Sequence, residues 1–128
     1  ISVFTQAKQE AMERFEEKKL LIKTRQNSFV LNMRDILYAE SRLKKVTIHT
    51  NEDVIEYYGT IRELESELDQ AFYRCHRAYI VNMTKIKRYG SDFIIVSNGE
   101  QIYLAKERYG DFVDAYMKFL MGGGTGIV

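Results

Sequence analysis

The segment that most constrains the fold runs from residue 72 to residue 82, with the sequence FYRCHRAYIVN. Aromatic and aliphatic residues alternate here with Arg74, His76 and Arg77, and a β-favouring triplet then leads to a polar stop at Asn82. The pattern predicts one strand that passes through a buried sheet. Because arginine side chains are costly to bury, these cations must project into solvent or meet an anion. A scaffold that presents fixed cations indicates a polyanionic partner.

The rest of the chain favours short strands. β-Favouring runs are separated by turn-forming residues, and these runs are residues 20–24, 29–31, 36–38, 46–50, 54–58, 93–96 and 102–104. The Asn98-Gly99 pair between the last two runs is a strong hairpin signal. We therefore predict a mostly β fold with flanking helices, in which antiparallel β-strands form small sheets.

Three segments favour helices. Thr60 and Glu63 have the spacing of a capping box, which predicts a helix from residue 61 to about residue 70. Apolar residues at helical spacing predict a second helix over residues 109–120. Residues 5–19 lack proline and glycine and carry a weaker apolar stripe, which predicts a third. The acidic outer face of the first helix should pack away from an anionic partner.

The length of 128 residues and the hydrophobic content of 45% fit one domain with a core of its own. We expect residues 20–120 to form that domain and residues 121–128 to be a flexible tail. Residues 1–19 are interpreted either as a linker helix from an absent upstream domain or as a helix that caps the core. The single cysteine and the lack of a signal or membrane-spanning sequence predict a cytoplasmic protein with no membrane partner.

The net charge is only +1, so the distribution of charge has to indicate the partner. Residues 61–71 are acidic, which leaves an excess of positive charge on the rest of the chain. Basic residues concentrate in predicted strand ends and loops, namely Arg42, Lys44, Lys45, Arg74, Arg77, Lys85, Lys87, Arg88, Lys106 and Arg108. Such a local cluster can bind phosphate without a high overall pI.

The sequence favours neither an enzyme nor a metal site. Cys75 and His76 are neighbours on a predicted strand, so they should point to opposite faces and cannot share a proton. His49 has no cysteine pair or helical histidine spacing beside it that would indicate a metal, and no cofactor motif is present. We expect Cys75 to be a buried apolar residue, with redox sensing as the alternative if Arg74 and Arg77 lower its pKa.

The segment at residues 72–82 resembles the signature of the LytTR family of bacterial DNA-binding domains. Weaker matches flank it at residues 35–40, 58–64 and 102–106. The resemblance implies that three loops on one edge of a sheet contact duplex DNA without a recognition helix. These loops are residues 42–45, the position of Arg77, and residues 106–108. With the charge distribution, the predicted DNA-binding residues are Arg42, Lys44, Lys45, Arg74, Arg77, Lys106 and Arg108.

Two departures from the family pattern affect these predicted contacts. Ala78 and Ala105 stand where relatives commonly carry serine, so two hydroxyl contacts to phosphate are missing. Lys44 and Lys45 replace a commoner asparagine-tyrosine pair, so we expect this chain to prefer different bases.

The predicted function is sequence-specific binding of double-stranded DNA in transcription regulation. The resemblance implies the output domain of a two-component response regulator, of the kind that controls quorum sensing and virulence. It also implies binding to direct repeats, bending of the DNA, and dimerisation through an absent N-terminal receiver domain. The alternative is a non-enzymatic β-rich protein-interaction or ligand-sensing module whose arginines bind an acidic partner.

Overall fold

The computed structural model describes residues 18–122, which form ten β-strands and two α-helices. The strands are β1 (Lys19–Lys23), β2 (Ser28–Asn32), β3 (Ile36–Arg42), β4 (Lys45–Thr50), β5 (Val54–Tyr58), β6 (Phe72–His76), β7 (Tyr79–Asn82), β8 (Ile86–Tyr89), β9 (Phe93–Val96) and β10 (Gln101–Tyr103). The helices are α1 (Ile61–Glu67) and α2 (Tyr109–Leu120), and single 3-10 turns lie at Met33–Asp35, Met83–Lys85 and Lys106–Arg108. No helix within residues 18–122 is long and apolar enough to cross a membrane.

The strands form three antiparallel sheets, which confirms the predicted fold class. The central sheet has five strands in the order β5-β4-β3-β7-β6. A second sheet has the order β10-β9-β8, and β1 pairs with β2 alone. The predicted hairpin at Asn98-Gly99 joins β9 to β10, and Gly99 adopts φ +92°, a conformation that glycine adopts without steric cost.

Two apolar clusters hold the sheets and helices together. The first joins the central sheet to β9, β10 and α2, and it contains Leu37, Ile94 and the fully buried Phe112. The second joins β1, β3 and β4 to α1 through residues such as Ile48 and Leu64. The acidic helix α1 therefore packs through its apolar stripe, as its sequence periodicity predicted.

Residues 72–82 form a hairpin, so the prediction of one continuous strand was wrong. Strands β6 and β7 pair across a two-residue turn at Arg77 and Ala78. The turn contains no glycine or asparagine, and its residues need none because neither has positive φ. Instead the His76 ring accepts a hydrogen bond at Nδ1 from the Ala78 backbone N–H, at 3.0 Å. This side-chain bond supplies the turn signal that alternation alone does not reveal.

Asn82, the polar end of the same segment, is completely buried. Its side-chain Nδ2 donates to the Ile36 carbonyl at 2.8 Å, and its Oδ1 accepts from the Thr84 backbone N–H at 3.0 Å. Asn82 therefore fastens the end of β7 to the start of β3. A buried amide with both ends bonded is a structural part of the sheet.

The capping box at the start of α1 is confirmed, since the Thr60 hydroxyl accepts from the Glu63 N–H at 3.1 Å and the Glu63 carboxylate accepts from the Thr60 N–H at 3.0 Å. The helix ends at Glu67, three residues before the predicted end near residue 70. It stops there because the Asp69 carboxylate accepts from the Ala71 N–H at 2.9 Å and turns the chain into β6.

The N-terminal helix predicted over residues 5–19 lies mostly outside the described residues. Its last residue, Lys19, is the first residue of β1, so the predicted end of that helix was wrong. The tail predicted from residue 121 also lies mostly outside the described residues.

Candidate nucleic-acid interface

Two of the predicted loops lie side by side at one end of the central sheet. Because β3 and β7 are antiparallel neighbours, the end of β3 lies next to the beginning of β7. The Ser41 backbone N–H donates to the Ala78 carbonyl at 2.9 Å. The end of β3 and the turn before β7 are thereby joined by a direct backbone bond.

The third loop reaches the same end from the other sheet. It follows β10, and its Ala105 N–H donates to the Cys75 carbonyl of β6 at 2.9 Å. The Arg108 guanidinium donates to the Arg74 carbonyl at 3.1 Å. We call the row formed by residues 42–45, 77–78 and 105–108 the cationic edge.

Five of the seven predicted DNA-binding side chains on or beside this row are exposed. None of the five forms an ion pair within residues 18–122. They are Arg42, Lys44, Arg77, Lys106 and Arg108. The structure therefore brings together cations from three separate parts of the sequence.

Arg74 has a different environment from these exposed cations. Its side chain is 23% exposed and makes an ion pair with Glu65 at 3.3 Å between Nη1 and Oε1. Its Nη2 donates to the Arg77 carbonyl at 2.6 Å. Arg74 thus bridges the hairpin turn and fixes the backbone that carries Arg77.

Lys45 is also engaged by neighbouring side chains. Its Nζ lies 3.4 Å from Glu56 Oε1 and 5.2 Å from the centroid of the Tyr58 ring. The Tyr58 ring is 79% exposed and stands directly opposite Lys45 in the β4–β5 pairing. The Glu56 carboxylate reduces the charge that Lys45 presents to an anion.

The turn between β3 and β4 has an unusual backbone. Leu43 has φ +50° and Lys44 has φ +66°, and within residues 18–122 they are the two residues other than glycine with positive φ. Positive φ at both central residues is the pattern of a type I′ hairpin, which favours Asn-Gly. Because both residues carry side chains, their positive φ costs conformational energy. Leu43 is 83% exposed at the tip, so the turn presents an apolar side chain to solvent beside the Lys44 amine.

His76 and two tyrosines form an aromatic group beside the cationic edge. The His76 ring lies edge-on to Tyr79, with centroids 5.6 Å apart, and 6.3 Å from the half-exposed Tyr103 ring. Since His76 Nδ1 accepts a hydrogen bond from the turn, this histidine has a structural role in the hairpin.

Cys75 is completely buried in the first apolar cluster. Burial raises the pKa of its thiol to about 12, and Arg108 opposes that rise slightly. The pKa lowering by Arg74 and Arg77 that a redox sensor would need is absent. The thiol therefore stays protonated at neutral pH while the domain is folded.

His49 belongs to a side-chain network on the central sheet. Its Nε2 lies 2.6 Å from Glu40 Oε2, and its ring stacks on Tyr38 with centroids 4.2 Å apart. Burial, together with Glu100 and Glu40, raises the pKa of Tyr38. Within residues 18–122 no group of three or more potential ligand residues is placed to hold a metal ion.

Sequence reasoning missed several residues near the cationic edge. Leu43 gave no signal, because leucine is not typical of a turn with positive φ. Lys23 and Arg25 flank Thr24 in the β1–β2 connection, and this pair of cations is visible in the sequence. The sequence does not show that the fold places this pair beside β4 and β5.

Known proteins match both the sequence and the fold. Residues 26–117 match the family profile of the LytTr DNA-binding domain. Accessory gene regulator protein A of Staphylococcus epidermidis (strain RP62A) is 34% identical over 86 residues, and that of Staphylococcus aureus (strain N315) is 36% identical over 86 residues. Each alignment covers 64% of this chain and 36% of the relative, so the chain spans about a third of the length of these relatives.

A solved LytTr DNA-binding domain from Bacillus cereus has a TM-score of 0.63 and 25% sequence identity, covering 83% of this chain and 98% of that one. The β-rich fold, the cationic edge and these matches define the class of protein as a DNA-binding domain of a transcription regulator. More particularly, the chain belongs to the LytTR family of DNA-binding domains, as its sequence predicted.

Proposed function

We propose that the cationic edge binds duplex DNA sequence-specifically and reads the major groove with turns. The observation that carries this proposal is the backbone bonding of three cation-bearing turns into one row. Preorganised donors lose little conformational freedom when they bind an anion. The turn of a two-stranded β-hairpin also fits within a major groove about 12 Å across.

The turn at residues 42–45 is the proposed base reader. It is the tip of the β3–β4 hairpin, and its Lys44 amine is exposed without an acidic partner in the described part of the chain. Lysine donates to guanine O6 and N7 in the major groove. The exposed Leu43 side chain beside it suits the methyl group of a thymine.

Arg77 and the turn of Lys106–Arg108 complete the proposed interface. The Arg74 guanidinium donates a hydrogen bond to the Arg77 carbonyl, and the Arg108 guanidinium donates one to the Arg74 carbonyl. Both therefore have fixed backbones or side chains from which to contact a base or a phosphate. The β3–β4 and β6–β7 turns lie on four adjacent strands, and at about 4.8 Å spacing these strands span roughly 14 Å, which exceeds one major groove about 12 Å across.

This width supports bending of the bound DNA. The surface of a straight duplex curves away from a row of turns that is wider than the major groove. The turns at the two ends of the cationic edge therefore contact DNA only if the axis of the duplex bends toward them. Bending a site by 40–90° costs on the order of 1–6 kcal/mol, which additional phosphate contacts offset.

In the full regulator we infer that this domain is the output domain of a two-component response regulator. The similarity to accessory gene regulator protein A supports that assignment. Binding of two copies to direct repeats, and dimerisation through an upstream receiver domain, are parts of the same proposal. Footprinting of the full-length protein on repeats of varied spacing tests them, since a single protected repeat at every spacing contradicts paired binding.

The proposal is tested by sorting the cations by their effect on binding. A duplex is first selected from a random pool by the wild-type domain. Lys44→Ala should flatten the preference at one base pair by about 1–3 kcal/mol, and Arg77→Ala should lower affinity with a shallower salt dependence. The control is Lys118→Ala, an exposed cation on α2 that lies roughly 14 Å along the helix axis from Tyr109.

The control separates reading by turns from diffuse attraction. If Lys118→Ala weakens specific binding as much as Lys44→Ala does, the charge acts diffusely and the proposed interface is wrong. Binding that does not change with salt concentration contradicts DNA binding and favours an interaction with protein or a small ligand.

A further inference from the structure

A second cationic feature lies next to the cationic edge. The turn between β1 and β2 faces the ends of β4 and β5, and a surface cleft of about 870 Å³ separates them. Lys23, Arg25 and Lys45 line this cleft together with Glu56 and the exposed Tyr58. Three cationic groups therefore face one carboxylate.

The β1–β2 turn is held in a fixed shape by its own hydrogen bonds. The Thr24 N–H donates to the Asn27 carbonyl at 2.8 Å, and the Asn27 N–H donates to the Thr24 hydroxyl at 3.0 Å. These bonds place Arg25 and Gln26 at the tip. The position of the cations is thus set before any partner arrives.

The cations of this turn are not used to stabilise the fold. Neither Lys23 nor Arg25 forms an ion pair within residues 18–122. By contrast, Lys18 pairs with Asp69 at 3.2 Å, and the Lys19 amine bonds to the Asn32 side chain. Lys23 and Arg25 remain available for an anion from outside the domain.

The cleft is continuous with the proposed interface. Lys45 lines the cleft and also closes the β3–β4 turn, where it pairs with Arg42. The Gly59 N–H, just after β5, donates to the Lys44 carbonyl at 3.0 Å. A DNA strand whose bases meet Lys44 would therefore carry its next phosphates toward this cleft.

We propose that the cleft binds the phosphate backbone of the DNA strand beside the bases read by residues 42–45. Lys23 and Arg25 neutralise the phosphate, and the exposed Tyr58 hydroxyl supplies a neutral donor. This inference rests on the proposed function, and it adds a fourth contact region from β1–β2. Phosphate contacts of this kind fix orientation on the duplex without reading sequence.

The test compares the double variant Lys23→Ala/Arg25→Ala with Lys19→Ala on the selected duplex and on random duplex. Lys19 is a matched control, because it lies on the same face of β1 as Lys23 and about 13 Å away along the strand. The double variant should lose one or two phosphate contacts. Each lost contact makes the log–log salt slope shallower by about 0.9, so the affinity change between 50 and 200 mM salt shrinks on the order of threefold per contact.

Base preference in the double variant should match the wild type, and both duplexes should lose affinity equally. An unchanged salt slope in the double variant overturns the inference. If Lys44→Ala still loses base preference in that case, the proposed function stands without the cleft. A Lys19→Ala slope as shallow as that of the double variant also overturns it, because the effect would then be one of overall charge. If the wild type shows no salt-dependent binding to either duplex, the proposed function fails together with the cleft.

Discussion

Replacing Leu43-Lys44 by Asn-Gly should make the domain more stable and weaken its binding to DNA. Both residues now have positive φ, at +50° and +66°, and this conformation costs roughly 1–2 kcal/mol for each residue with a side chain. Glycine removes the cost at position 44, and asparagine reduces it at position 43. The extra freedom of glycine in the unfolded chain offsets about 1 kcal/mol. The net gain should be about 1–2 kcal/mol.

Urea denaturation and thermal unfolding measure this gain. For a domain of this size, about 1–2 kcal/mol corresponds to a rise in Tm of roughly 4–8 °C. The denaturant slope m should not change, because the turn is exposed and the buried surface stays the same. DNA binding, measured on the same samples, should fall because the exposed amine and the leucine tip are both lost.

The single variant Lys44→Ala separates the charge from the backbone. It removes the amine and keeps a Cβ at positive φ, so it should bind DNA weakly without any gain in stability. An Asn-Gly variant that is no more stable than the wild type would refute the claim that the turn is strained. A more stable variant with full affinity would show that the strained tip does not contact DNA.

Three further predictions concern DNA shape and titration. In a circular-permutation series the complex should change its gel mobility with the position of the site, and uniform mobility contradicts bending. Peroxide should leave DNA affinity unchanged in the folded domain because burial holds the Cys75 thiol protonated; a loss of affinity that Cys75→Ala prevents would instead support redox sensing. Burial raises the pKa values of Tyr57 and Tyr73 from 10.0 to about 12, so stability present below pH 10 should be lost as pH rises toward 12. Replacing both by phenylalanine should flatten that part of the stability profile, and an unchanged profile contradicts the prediction.

Local signals in the sequence predicted the strands and helices well. The Thr60 and Glu63 pair marks a helix start because two otherwise unbonded N–H groups are satisfied within four residues. The Asn98-Gly99 pair marks a hairpin because Gly99 takes up positive φ at little cost. Such signals depend on neighbours in the chain, and the sequence displays those neighbours directly.

The features that sequence reasoning missed depend on partners far away in the chain. Asn82 was predicted to be a polar strand end, but its buried bond to Ile36 exists only after β3 and β7 pair. Arg74 could be recognised as a cation, but not as the support of Arg77, because that role requires the hairpin turn. The cluster of exposed cations was foreseen through family resemblance, whereas the placement of Lys23 and Arg25 beside them needed the fold.

The bond from Ala105 to Cys75 ties a turn of one sheet to an edge strand of another. In the proposed interface, the distances between the base-reading turns therefore follow from strand pairing and core packing, and the turns themselves set only the chemical preference. Under the proposed function, a variant of this domain should acquire a new target motif when two or three tip residues are exchanged. It cannot change the number of base pairs between recognised positions by the same route, because that spacing is a property of the scaffold. Under this proposal, the preferred bases and the spacing between them thus evolve separately.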